Sequence, residues 1–73
     1  MTRLEALRKR LRQAKFESKM LQIRLTVTKR AIPHLEKLQA EQAANEAKKL
    51  QTALTVSRKL VVYLEQTIRE ELG

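Results

Sequence analysis

Seventy-three residues carrying sixteen Lys or Arg against eight acidic residues, for a formal net charge of +8, make one small basic domain. A chain of this size buries only roughly 60% of its unfolded surface, so a lone core is marginal, and with no cysteine neither a disulfide nor a thiolate zinc site adds stability. The composition also leaves catalysis unsupported, with one histidine and no aspartate, and the longest apolar run, LVVYL at 60–64, is far short of the ~20 residues of a membrane span.

Thr2 followed by Glu5 is a T-x-x-E capping box, so the first helix is expected to begin at Arg3. No proline or glycine interrupts the chain before Pro33, and the helix is expected over 3–31, a rod of roughly 43 Å at ~1.5 Å per residue. Leu4, Leu7, Leu11, Ala14, Leu21 and Leu25, with the small Ser18 and Thr28 completing the spacing, form the a/d seam of a helix that packs on another helix. Residues 3–30 hold ten basic residues against Glu5 and Glu17, whereas the rest of the chain is neutral. All the net charge therefore sits on one helix, which attracts polyanions. This basic amphipathic start resembles a mitochondrial presequence, but no small-residue cleavage site follows it.

Residues 31–34, Ala-Ile-Pro-His, form the candidate break, because proline removes a backbone donor and biases its predecessor away from the helical region. Heptads counted from Leu4 fail at Gln39 and Gln42, and a new register starts through Ala40, Ala43, Ala47, Leu50, Leu54, Ser57, Val61, Leu64 and Ile68. The pattern reads as an all-α hairpin with a turn at 32–34, a second helix over 33–72 and Gly73 as its C-terminal cap. One long kinked helix is the rival. His34, beside the proline, reads as a surface turn residue, and no cofactor or metal is implied.

Labelling the core slots a and d places Arg8, Arg12, Lys15, Lys19 and Lys29 on the e and b positions of helix 1, and Lys48, Gln51, Thr55 and Arg58 on those of helix 2. Antiparallel packing sets e against e, which predicts one broad polar, basic surface built from both helices. The other flank is apolar: Phe16, Met20, Ile23 and Val27 on helix 1, and Ala53, Val56, Leu60 and Tyr63 on helix 2. A single hairpin leaves that flank uncovered, and the expectation is a homodimer that buries it in a four-helix bundle.

The segment LTVSRKLVVYLE at 54–65 adds a resemblance. Leu54-Thr55-Val56-Ser57-Arg58, with Leu64-Glu65 following, is similar to the second helix of the small silencing suppressors of Flock House virus and related insect nodaviruses. The resemblance implies a helical hairpin that dimerises into an antiparallel four-helix bundle in the host cytoplasm. It implies binding of double-stranded RNA without regard to sequence, shielding it from Dicer and from silencing-complex loading, with Arg58 as a principal RNA contact. Gln51 stands where the family carries a lysine, and Lys48 is the nearest replacement.

Three functional classes follow. The first is a dimeric binder of duplex RNA in which Arg8, Arg12, Lys15, Lys19, Lys48, Gln51, Thr55 and Arg58 meet the ligand and Phe16, Met20, Ile23, Val27, Val56, Leu60 and Tyr63 form the dimer interface. The second is a helical protein-interaction module with an acidic or helical partner. The third is a membrane-surface helix, which the lack of tryptophan on a Leu and Ala face disfavours.

Overall fold

The computed structural model describes residues 2–73, an antiparallel pair of helices forming a rod 53 Å long and 16 × 14 Å across. Helix α1 spans Arg3–Ala31, a single 3₁₀ turn spans Ile32–His34, and helix α2 spans Lys37–Leu72. The Thr2 hydroxyl accepts the Glu5 N–H at 3.2 Å, so the hydroxyl half of the capping box is formed. At the other end, the Gly73 N–H donates to the Arg69 carbonyl at 2.8 Å.

The reversal between the helices corrects the expected start of helix 2. Pro33 lies inside the 3₁₀ turn, and α2 begins four residues later, at Lys37. Leu35 and Glu36 have extended backbone, with ψ of 153° and 160°, and these two residues carry the chain across to the partner helix. A helix starting at Pro33 would continue the direction of α1, whereas seam-to-seam packing requires the chain to turn back. The single kinked rod is thereby excluded.

Every seam position of α1, from Leu4 through Thr28, is buried or half-buried, as is every one of α2 from Ala40 through Ile68. Leu25, Ala47, Leu50 and Leu54 form the core near the turn, with Leu21 packed against them, while Ala14, Leu64 and Ile68 are buried towards the open end. Leu54 and Leu64 are each 1% exposed and anchor the two halves. Burying one such side chain stabilises by about 1.5–3 kcal/mol. Between the halves, the hydroxyls of Ser18 and Ser57 share a hydrogen bond at 2.7 Å.

The rod leaves 5849 Å² accessible. A compact monomer of this mass exposes about 4,650 Å². The difference reflects shape: two helices side by side cover one stripe of each and leave the outer faces bare.

Candidate nucleic-acid interface

The hydrogen bond from Arg58 Nη2 to Gln22 Oε1, at 2.8 Å, joins the e position of α2 to the e position of α1. This contact puts the e flanks of both helices on the same side of the hairpin. The next e positions towards the open end are Lys15 and Glu65, and towards the turn they are Lys29 and Gln51. Arg8, Arg12, Lys15 and Lys19 on α1 and Lys48, Gln51, Thr55 and Arg58 on α2 are all exposed.

The surface is uneven in charge. Arg8, Lys9 and Arg12 line a groove with Glu5 and Leu11 at the open end of α1. The positive end of the helix macrodipole lies there too, so side-chain and backbone fields add. On α2, Thr55, Arg58, Lys59 and Val62 line a second, shallower groove. Glu65, half-buried at the e position beyond Arg58, interrupts the basic row. Across the open end, Arg3 Nε meets Glu71 Oε1 at 3.1 Å in an exposed pair that contributes roughly 0–1 kcal/mol.

Two polar side chains on this flank, Thr55 and Gln22, have their hydrogen-bonding directions partly committed. The Thr55 hydroxyl donates to the Gln51 carbonyl at 3.0 Å, which leaves its lone pairs facing outward as acceptors. Gln22 accepts from Arg58 and donates through Nε2 to the Thr26 hydroxyl at 3.2 Å. An arginine only donates, so the atom that meets it must be the amide oxygen, and this fixes the Gln22 orientation. Gln22 and Thr26 were not among the residues singled out from the sequence. The signal was present: Gln22 occupies the e slot between Lys15 and Lys29.

The charge of α1 is spread more widely than the flank. Arg10 lines a groove with Gln13, Ala14, Glu17 and Leu60, and Arg24 lines another with Phe16, Glu17, Met20 and Leu21. Both arginines therefore lie on the apolar side, because they occupy g positions and g faces g across an antiparallel seam.

That apolar side is bare in the hairpin. Phe16, Met20, Ile23 and Val27 on α1 and Val56, Leu60 and Tyr63 on α2 are all exposed, with Phe16 at 63% and Tyr63 at 62%. The seam register set by Ser18 against Ser57 leaves the α1 stripe nearer the turn and the α2 stripe nearer the open end, and the two overlap around the middle of the rod as one continuous apolar patch.

Among the described residues there is no His, Cys, Asp and Glu grouping able to hold a metal, and no helix long and apolar enough to cross a membrane. Comparison with protein families, with curated proteins and with solved structures yields no match to this chain.

Proposed function

We propose that this chain binds double-stranded RNA without regard to sequence and acts by occlusion, as a viral suppressor of RNA silencing in the host cytoplasm that shields duplexes from Dicer and from silencing-complex loading. The single observation that carries the binding reading is the Arg58–Gln22 contact, because it places the basic e and b rows of both helices on one side of a stiff rod. Phosphate contacts by arginine and lysine give affinity without sequence information, and duplex RNA is recognised by shape, phosphates and 2′-hydroxyls. Thr55, with its lone pairs outward, suits a 2′-hydroxyl donor. The suppressor role rests on the resemblance of residues 54–65.

In this reading the chain is a homodimer, and the apolar patch is the interface of an antiparallel four-helix bundle. The exposed surface supports it. The excess over a compact monomer is roughly 1,200 Å², and a standard interface takes about 800 Å² from each partner.

The test is a gel-shift series with RNA duplex, DNA duplex and single-stranded RNA at two salt concentrations. Preferential binding of the RNA duplex, with a steep loss on added salt, is expected. Equal binding to all three reduces the reading to generic polycation behaviour. A stable homodimer that ignores nucleic acid favours the alternative, a protein-interaction module using the same two flanks.

A further inference from the structure

We infer that Gln22 is a positioning residue for Arg58, setting the angle at which the guanidinium meets a phosphate backbone. This rests on the duplex-binding reading above and adds to it a residue that makes its contribution through another side chain.

Arg58 is exposed at the end of a long side chain, and an unrestrained arginine loses rotamer freedom when it is fixed on a ligand. Here the Nη2 hydrogen bond to Gln22 Oε1, at 2.8 Å, fixes it in advance. One of five donors is used, and the remainder of the planar fork stays open for a bidentate phosphate contact. The anchor is itself held. Gln22 is half-buried, and its Nε2 donates to Thr26 Oγ1 at 3.2 Å, which keeps the amide oxygen turned towards α2. Thr26, Gln22 and Arg58 thus form a three-residue relay from one helix to the other, built on rigid elements.

A glutamine suits this post better than a carboxylate. Its oxygen accepts a hydrogen bond but brings no negative charge, so the arginine is oriented while its full charge remains available to an anion. Glu65, one heptad along the same flank, shows the opposite choice: a carboxylate at an e position, which offsets the positive potential around it.

The experiment measures binding to a blunt RNA duplex of about 20 base pairs, longer than the ~16 base pairs that compact duplex-binding domains span. Wild type, Gln22→Leu, Thr26→Val, Arg58→Ala and the Gln22→Leu/Arg58→Ala double variant are compared across a salt series, with helix content followed by circular dichroism. Arg58→Ala is expected to weaken binding and to lower the salt slope by about one unit, because a phosphate contact is lost. Gln22→Leu is expected to weaken binding roughly three- to tenfold with the slope unchanged, since the charge is still present but no longer held. Thr26→Val should move the same way by less, and Gln22→Leu should add nothing in the Arg58→Ala background. Gln22→Leu binding within a factor of two of wild type overturns the inference alone, as does an undiminished effect in the absence of Arg58. A wild-type chain that ignores the duplex overturns the inference together with the function it rests on.

Discussion

Ser18 and Ser57 meet hydroxyl to hydroxyl at 2.7 Å in the middle of the hairpin seam, where heptad packing would ordinarily place leucine. Ser57 is buried and Ser18 half-buried. Each satisfies the other, and the pair aligns the two helices, because sliding by a heptad would set each hydroxyl against an apolar side chain. This rung fixes the register that brings Arg58 to Gln22 one turn away.

Removing one hydroxyl should therefore cost more than removing both. Ser18→Ala leaves the buried Ser57 hydroxyl, and Ser57→Ala the half-buried Ser18 hydroxyl, without its hydrogen bond, and the first is expected to destabilise by about 1–3 kcal/mol and the second by less. The double alanine variant should lie closer to wild type than the sum of the singles. Urea unfolding of all four proteins checks this, and additive losses would remove the pairing argument.

Leu54 is 1% exposed and packs with Leu25, Ala47 and Leu50. Leu54→Ala is expected to cost about 2–5 kcal/mol, most of the stability of so small a domain. Val62→Ala, on an exposed position of the same helix, should stay within about 0.5 kcal/mol. Thermal melts followed by circular dichroism separate the two.

The dimer has a direct assay. Sedimentation equilibrium at micromolar concentration is expected to give twice the monomer mass, and Ile23→Glu or Val56→Glu should yield monomers by burying a charge against the partner. A wild-type chain that sediments as a monomer ends the four-helix-bundle reading.

Charge alone and charge placement can be told apart by two variants of equal net charge. Arg8→Gln/Arg12→Gln removes two positive charges from the e and b flank, and Arg10→Gln/Arg30→Gln removes two from elsewhere on α1. The first is expected to weaken RNA-duplex binding at least tenfold more than the second, in line with about 1–3 kcal/mol for direct contacts. Equal losses in a filter-binding titration would mean that the protein acts as a diffuse polycation.

Helical periodicity along the chain is enough to set the two helices and their buried stripes. Three-four spacing of leucine and alanine marked the seams, and Pro33 marked where the first helix ends; these are local properties, set by helical periodicity and by the missing donor of proline. Heptad labels also sorted residues correctly into exposed and covered positions. They did not give the start of α2, because whether Pro33 opens a helix or closes a turn depends on where the chain must go next, a question of packing that Leu35 and Glu36 answer with extended backbone. Nor did they give the axial offset between the helices. That offset merges the two apolar stripes into one patch, sets Glu65 among the bases and brings Gln22 under Arg58. It is decided by contacts between residues thirty-six and thirty-nine positions apart, at the Arg58–Gln22 and Ser18–Ser57 pairs, and periodicity along one helix carries no information about its phase against another.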